Sequence, residues 1–344
     1  MIFMIPKRLA GTMLLKCLTL LALSITPAAY ASDAGMPTCA LKEAASLNVE
    51  LSSNGAVLIP VSINGTTVHM ILDTSAPASV IEQTAAERLL LGRHIVPLRT
   101  PDLSYGRARI DEYTVVAEFT LGGLTFRNLQ LLMLPRPRDG SPGYVEDIVG
   151  IIGMDLFRNV DIELDLAHDK VNLFTTDHCP DADVYWADRY DAVPVKRGAL
   201  GNVYFIMELE GKKLETSLQT RQGESYLSTD ATRALYGWDE TAADVTTVKD
   251  ANGHKISHYR AMALTSGGLA IINANIRLDL LAGGCEGNTR IGYDSLGAAR
   301  YEGPCVGPYP LILGTRILKQ LRLYLATKEE MLYFTAADAH RTAR

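Results

Sequence analysis

Short runs of alternating apolar and polar residues fill most of the chain beyond residue 40. A period of two is typical of β-strands with one buried face. Turn-forming pairs such as Asn64-Gly65 and Gly122-Gly123 separate the runs, and Asn-Gly between alternating apolar residues is a strong hairpin signal. The pattern predicts strands at residues 56–63, 67–72, 113–121, 160–166 and 171–174.

Helical periodicity is rare in this sequence. The clearest case is the segment 82–91, where Ala85, Ala86, Leu89 and Leu90 form one apolar face. We therefore predict a short helix there. A chain of many short strands and few short helices is predicted to be all-β.

The second half of the chain repeats the first. Matching segments follow in the same order: 64–65 with 210–211 and 73–74 with 219–220 at a shift of 146, 121–124 with 266–269 at 145, and 151–153 with 312–314 at 161. An insertion of about 15 residues in the loop that holds Cys285 and Cys305 accounts for the larger last shift. Several matches in one order indicate a duplicated structural unit. We expect one unit at 40–179 and another at 195–337, joined by a polar linker at 180–194.

The N-terminus has the order of segments that is typical of a cleavable export signal. Lys7 and Arg8 precede a short apolar run at 18–25, and small residues follow up to position 31. The apolar run is too short to span a bilayer, for which about 20 residues are needed. We expect residues 1–31 to be a signal peptide and the mature protein to be periplasmic or secreted, without membrane contact. A retained membrane anchor is the alternative.

The formal net charge is −6, and removal of the leader takes away basic residues and no acid. Proteins that bind nucleic acid need a basic surface that displaces counterions. We therefore expect no nucleic-acid partner, whereas a peptide or protein substrate is compatible with this charge. With 47% hydrophobic and 21% charged residues, the chain belongs to the globular class.

Four cysteines follow the leader: Cys39, Cys179, Cys285 and Cys305. In an exported protein an even number favours disulfides. We expect Cys285 to pair with Cys305, because they bracket one Gly-rich loop. Cys39 would then pair with Cys179, although four cysteines allow three pairings. A structural zinc site is the alternative, but the sequence has no C-x-x-C pair to favour it.

The most informative stretch is Ile71–Ala76. Apolar residues lead a predicted strand into the core, and Asp73 stands at the end of that strand, followed by Thr74 and Ser75. Loss of hydration disfavours a carboxylate in such a place unless its oxygens accept hydrogen bonds from backbone N–H groups and hydroxyls. A position of this kind is where an acid with a tuned pKa would be built, with Thr74, Ser75 and Ala76 as its small and hydroxylated neighbours.

This stretch resembles the active-site loop of the retropepsin-like and pepsin-like aspartic proteases, Asp-Thr/Ser-Gly-Ala/Ser, with Ser75 at the usual Gly position. Gly153 and Gly314, each after two aliphatic residues, resemble the family's structural glycines, which let a strand pass close beside the Asp loop. The resemblance extends from the hairpin at 64–65 to the strand at 321–325. It implies two tandem β-barrel lobes with a cleft between them.

In that family each lobe supplies one aspartate, and the two share a proton because two close carboxylates do not both ionise cheaply. Asp73 would be the first member, but the second lobe has Gln219 at the matching position. An amide cannot share an ionisable proton. The resemblance therefore implies dyad chemistry that is weak or absent. Thr74 and Thr220 remain, and in the family these threonines join the lobes, so we expect the cleft to persist.

A flap over the cleft is the other part that the resemblance implies. Tyr105 and Gly106 precede an alternating segment at 107–113 and would form the tip of a hairpin, with an ordinary surface turn as the alternative. Nothing in the sequence points to a cofactor or a metal ion, and we expect neither. We also expect a monomer.

Three acids alternate along the predicted strand at 160–166. The period of two places Asp161, Glu163 and Asp165 on one face. Because acidic residues are rarely buried without partners, we expect that face to lie in solvent.

Two functions follow from these observations, and a third ranks below them. The first is an exported aspartic-type endopeptidase of reduced activity, in which Asp73 activates a water molecule. The second is a pseudoprotease that binds extended peptides or an envelope partner in the cleft without cutting them. The third pairs Asp73 residues from two chains.

Overall fold

The computed structural model of the protein describes residues 2–4, 40–96, 104–105, 108–135, 147–178, 183–197, 203–237, 242–249, 253, 255–279, 289–293, 299–302 and 310–341. Among these residues, no helix is long and apolar enough to cross a lipid bilayer. The four cysteines of the predicted disulfides, at 39, 179, 285 and 305, lie outside the described residues.

The described strands of the first half are β1 (Ile2–Met4), β2 (Glu43–Asn48), β3 (Glu50–Leu51), β4 (Val57–Ile63), β5 (Thr66–Leu72), β6 (Val80–Glu82), β7 (His94–Ile95), β8 (Ser104–Tyr105), β9 (Ala108–Arg109), β10 (Glu112–Leu121), β11 (Leu124–Leu134), β12 (Ile148–Ile152), β13 (Val160–Asp165) and β14 (Lys170–Thr175). The helical segments of this half are α1 (Gln83–Arg88) and 3-10 turns at Met154–Phe157 and Leu166–His168. The five predicted strands are therefore confirmed, with small differences at their ends.

The described strands of the second half are β15 (Asp191–Pro194), β16 (Lys196–Arg197), β17 (Val203–Leu209), β18 (Lys212–Leu218), β19 (Ser225–Ser228), β20 (Val245–Lys249), β21 (Lys255–Ser266), β22 (Leu269–Asp279), β23 (Thr289–Tyr293), β24 (Ala299–Glu302), β25 (Leu311–Leu313), β26 (Leu321–Ala326) and β27 (Met331–Ala336). The helices of this half are α2 (Thr229–Tyr236) and α3 (Thr315–Leu318).

The predicted helix at 82–91 is present but shorter than expected. α1 ends at Arg88, and Leu90 adopts a positive φ of 55°. The left-handed conformation ends the helix and turns the Leu90 side chain outward, where it is 92% exposed. Ala85 and Ala86 are buried as predicted, but the assignment of Leu90 to the apolar face was wrong.

Each half of the chain closes into a six-stranded barrel. In the first lobe the order is β4-β5-β12-β6-β11-β10, and β10 pairs back with β4. In the second lobe the order is β17-β18-β25-β19-β22-β21, and β21 pairs back with β17. Closure satisfies the backbone groups that an open sheet edge would leave unpaired. The predicted fold class, all-β with two tandem barrels, is confirmed.

The duplication extends to the backbone angles of the turns. Asn64 has φ of 48° and its counterpart Glu210 has 47°, while Asn128 has 52° and its counterpart Asn273 has 57°. Positive φ is uncommon for residues other than glycine. Its recurrence at matching places supports the view that the two lobes are copies of one unit.

A separate six-stranded sheet joins the two halves, in the order β15-β27-β26-β13-β14-β2. At its centre β13 from the first half pairs antiparallel with β26 from the second half, with Glu163 opposite Tyr324. β15, at the end of the predicted linker, pairs with β27. The boundaries that we drew at 40–179 and 195–337 stay predictions.

The acidic face of β13 is buried, so the expectation that it lies in solvent was wrong. Asp161 and Glu163 are 0% exposed and Asp165 is 5% exposed. Tyr185 and Arg322 both donate hydrogen bonds to the Glu163 carboxylate, and they cover it. The alternation along β13 was predicted correctly, but the side chains that cover it come from elsewhere in the chain.

Candidate active site

Two loops meet where the barrels join, and each follows a barrel strand. Asp73 comes directly after β5, and its N–H donates to Ile152 O of the parallel strand β12 at 2.9 Å. Gln219 comes directly after β18, and its N–H donates to Leu313 O of the parallel strand β25 at 2.9 Å. Asp73 and Gln219 therefore occupy equivalent positions in the two lobes.

Gly153 and Gly314 allow the backbone to pass close beside these loops. A Cβ atom on Gly153 would lie 2.6 Å from the carbonyl carbon of Ala78, and one on Gly314 would lie 2.1 Å from Glu224 O. Both distances are shorter than van der Waals contact allows. A side chain at either position would push the strand away from its loop.

Two threonines lock the loops together across the lobe interface. Thr74 Oγ1 donates to Leu218 O at 2.8 Å, and Thr220 Oγ1 donates to Leu72 O at 2.6 Å. Thr220 Oγ1 also accepts a hydrogen bond from the Thr74 N–H at 3.1 Å. All three bonds are buried, which makes their loss costly. The structure thus brings together the two threonines that the resemblance singled out.

The Asp73 carboxylate is buried at this junction, with 1% of the residue exposed. Its Oδ1 accepts hydrogen bonds from the Ser75 N–H at 2.9 Å and from Ser75 Oγ at 2.6 Å. Its Oδ2 lies 3.7 Å from Nε of Arg221, whose side chain is 42% exposed. Hydroxyl, amide and guanidinium groups thus face one carboxylate, and Arg221 extends from it toward solvent.

A chain of hydrogen bonds connects the second loop to Asp73. Gln222 Nε2 donates to Gln219 Oε1, Gln219 Nε2 donates to Ser75 Oγ at 3.2 Å, and Ser75 Oγ donates to Asp73 Oδ1. Ser75, at the position where the family usually has Gly, therefore bridges the acid and the amide. Ala76, 3% exposed, supports the loop through its carbonyl, which accepts from the Met154 N–H at 2.8 Å.

The sequence did not single out Arg221 or Gln222. By the repeat, Arg221 matches Ser75, so its place in the second loop could have been identified from the alignment. The direction of its side chain could not, because Arg221 reaches an acid in the other lobe. A cation close to the family's aspartate was therefore an unexpected feature.

The flap prediction falls partly on described residues. β8 and β9 pair antiparallel, with Tyr105 opposite Ala108, so a hairpin is present where one was predicted. Gly106 lies outside the described residues. Whether Tyr105 closes over the cleft stays a prediction.

One group of side chains in the described residues has the spacing of a metal site. Asp161, His178 and Glu329 each place one ligand atom within 4.8 Å of the others. However, the Asp161 carboxylate accepts hydrogen bonds from the N–H and Oγ1 of Thr327 and from the Tyr324 hydroxyl. His178 Nε2 lies 2.7 Å from Asp161 Oδ2. Protein donors thus already occupy this carboxylate, in the sheet that joins the lobes.

Taken together, the site places one buried carboxylate at the junction of the lobes, where the Ser75 N–H and hydroxyl groups bind it. Arg221 supplies a positive charge beside it, and Gln219 supplies an amide. Positive charge and N–H donors stabilise the oxyanion that forms when a nucleophile attacks a carbonyl. One carboxylate, one cation and an amide in this arrangement are compatible with acid–base chemistry at a carbonyl carbon.

Residues 59–156 match the family model described as aspartyl protease. The match includes the loop that begins at Asp73 and the structural Gly153, and it ends before β13. The resemblance to the retropepsin-like aspartyl proteases is thereby confirmed, and the match supports a peptidase-type function. A search of curated proteins found no match.

Proposed function

We propose that this retropepsin-like chain is an exported endopeptidase in which Asp73 is the acting carboxylate. The observation that carries the proposal is the position of Asp73 at the junction of the lobes, with Arg221 beside it. Export rests on the leader predicted at 1–31. Because the second acid is replaced by Gln219, we propose a reaction that needs one carboxylate.

In the proposed reaction a water oxygen attacks the carbonyl carbon of the scissile peptide bond, and Asp73 takes a proton from that water. The carbonyl oxygen becomes an oxyanion, which Arg221 stabilises by its charge. Asp73 then returns the proton to the peptide nitrogen as the C–N bond breaks. The products are a carboxyl group and an amine, and Asp73 is regenerated as a carboxylate.

The test compares cleavage of a peptide library by purified mature protein between about pH 3 and 7, a range that covers ordinary carboxyl titration. Asp73→Asn should lower kcat by at least about 10²-fold, because general acid–base help has that size. Asp169→Asn is the matched control, since Asp169 is exposed on the surface and already has a positive φ that Asn tolerates.

Arg221 tests the oxyanion role. Arg221→Gln should lower kcat by about 10²-fold with little change in KM, and Arg221→Lys should recover part of the loss because it keeps the charge. An Arg221→Gln enzyme with unchanged kcat would contradict this role but leave the role of Asp73 standing.

The second candidate function is a pseudoprotease that holds extended peptides without cutting them. Gln219 favours it, because the amide replaces the family's second acid and already binds Ser75 and Gln222. In that case Asp73→Asn should leave peptide affinity nearly unchanged, and Gln219→Asp should create cleavage where none existed. Wild-type cleavage that disappears in Asp73→Asn would exclude this reading.

A pairing of Asp73 residues from two chains would require the lobes to separate. Thr74 and Thr220 would lose their buried hydrogen bonds in that movement. Active protein that light scattering shows to be monomeric would rule the pairing out.

A further inference from the structure

A cavity of about 290 Å³ opens in the second lobe beside the active-site loop. It begins at Gly223, where the second loop ends, and lies between β22 and α3. Gly223 N–H donates to Asn54 O of the first lobe at 2.7 Å. The cavity therefore adjoins the seam between the lobes, next to the loop that carries Gln219 and Arg221.

Basic side chains dominate the charge of this cavity. Glu224 lies 3.1 Å from Arg277 Nη1, 3.4 Å from His258 Nε2 and 3.7 Å from Arg316 Nη1. Glu224 is the single acid among the described residues that line the cavity. Two arginines and an imidazole thus face one carboxylate, so the described residues that line the cavity carry more basic than acidic side chains.

Contacts with Tyr226 and Glu224 place the Arg277 side chain in the cavity wall. Arg277 lies over the Tyr226 ring at 5.5 Å from its centre, and its side chain is 29% exposed. Burial alone would raise the pKa of the Glu224 carboxyl, but hydrogen bonds from Arg277 and His258 lower it below its ordinary value. Glu224 therefore acts as an internal counterion that holds Arg277 in the cavity wall.

The first lobe has no such cluster at the corresponding described positions. Val80 pairs with Leu132 where Tyr226 pairs with Arg277, so Leu132 is the counterpart of Arg277. Leu132 packs against an apolar cluster that includes Val80. The barrel thus forms equally well with an aliphatic residue at this place.

The positions of Glu224 and Arg316 also have different residues in the first lobe. Ser79 and Ser225 bond equivalent glycine N–H groups, which makes the preceding Ala78 the counterpart of Glu224. Asp155, two residues after the first structural glycine, is likewise the counterpart of Arg316. Because the barrel fold does not require these charges, we infer that they serve to bind a ligand.

We propose that this cavity binds the carboxylate of an acidic side chain in the peptide that occupies the groove between the lobes. The proposal rests on the groove binding extended peptides, which both candidate functions share, and not on cleavage. Arg277 and Arg316 would contact the carboxylate, and Glu224 would compete with it. The cavity would thus make one position of the peptide selective for Asp or Glu.

The experiment measures binding to the mature Asp73→Asn protein, the form used in the cleavage assay, so that cleavage does not interfere. The ligands are fluorescein-labelled peptides of otherwise neutral sequence. In one series a single Glu is placed at each position in turn, and in the matched series Gln replaces that Glu. At one position Glu should bind about tenfold more tightly than Gln, because charge-assisted hydrogen bonds are strong. High salt should reduce that preference.

Three variants in the same background separate the contributions. Arg277→Gln should remove most of the Glu preference, whereas Arg127→Gln should not, since Arg127 is 74% exposed on the other lobe. Glu224→Gln should raise the affinity for the Glu peptide several-fold by removing the competing carboxylate. A gain of affinity cannot result from misfolding.

Glu-dependent binding that Arg277→Gln removes and Glu224→Gln strengthens supports the proposal. Equal binding of Glu and Gln peptides at every position overturns it. Inorganic phosphate is titrated in parallel. Phosphate binding that depends on Arg277, without any Glu preference, would identify a site for small anions and also overturn it. If the wild-type protein does not cleave peptides, the proposed peptidase activity fails, but the binding preference for Glu can still be measured.

Discussion

The two lobes have the same barrel but different chemistry. Both thread a strand beside a loop at a glycine, Gly153 in one and Gly314 in the other, and both lock that loop with a threonine. Directly before that threonine, the first lobe has Asp73 and the second has Gln219. The residues that hold the backbone in place are therefore kept in both lobes, while the acid is not.

The strands that join the lobes differ in a complementary way. Both β13 and β26 have apolar residues on one face. On the other face, the repeat matches Asp161 and Glu163 of β13 with Arg322 and Tyr324 of β26. Arg322 Nε donates to Glu163 across the sheet and stacks 4.5 Å from the Trp186 ring. The ion pair between Glu163 and Arg322 therefore favours the pairing of one half with the other.

The largest effect is expected from breaking that complementarity. Arg322→Met keeps the apolar stem over Trp186 but leaves the fully buried Glu163 without a cation. We expect a loss of about 3–5 kcal/mol in unfolding free energy, measured by urea denaturation. Lys328→Met, which removes an exposed partner of Asp177, is the control and should change little. A loss as small as that of the control would show that Glu163 does not depend on Arg322.

The structural glycines test whether the lobes are equally constrained. Gly153→Ala and Gly314→Ala should each cost about 3 kcal/mol, because the added Cβ would overlap backbone atoms. Gly92→Ala is the matched control, since its Cβ would meet nothing closer than 3.9 Å. Thermal unfolding measures all three. If one of the two alanine variants unfolds at nearly the wild-type temperature, the loop of that lobe can shift away from its strand.

The threonine lock is expected to contribute somewhat less. Thr220→Val removes a buried acceptor from Thr74 N–H and a donor to Leu72 O, which should cost about 2 kcal/mol. Thr220→Ser should restore most of this. Thr216→Val is the control, since Thr216 is equally buried but bonds Leu214 within its own strand. Equal losses in the two valine variants, by urea denaturation, would mean that the lock adds nothing specific.

The smallest effect concerns the pH dependence of stability that Asp183, beside the sheet between the lobes, contributes. Burial raises the pKa of Asp183, although His178 opposes the shift. The folded state therefore binds this proton more tightly than the unfolded state, and the stability it contributes at low pH is lost as pH rises above the ordinary carboxyl range.

Asp183→Asn should accordingly become more favourable relative to the wild type as pH rises from 4 to 7. Unfolding free energies at both pH values measure this difference, with the exposed Asp169→Asn as control. A difference that falls over this range would contradict the shift.

The sequence determined the strands, the duplication and the position of Asp73. Strand alternation and turn residues are local, so they can be identified without knowledge of distant contacts. The repeat then placed Asp73 and Gln219 in equivalent loops, and it placed Gly153 and Gly314 beside them. The mainly β fold with two barrels followed from these features and from the family resemblance.

Only the tertiary structure decided which side chains meet between the lobes. The contact of Arg221 with Asp73 and the burial of Glu163 beneath Tyr185 and Arg322 join residues far apart in the chain. Such contacts depend on how two barrels dock, because docking turns a face that alternation marks as polar into an interior surface. The pattern of one strand carries no information about what covers it.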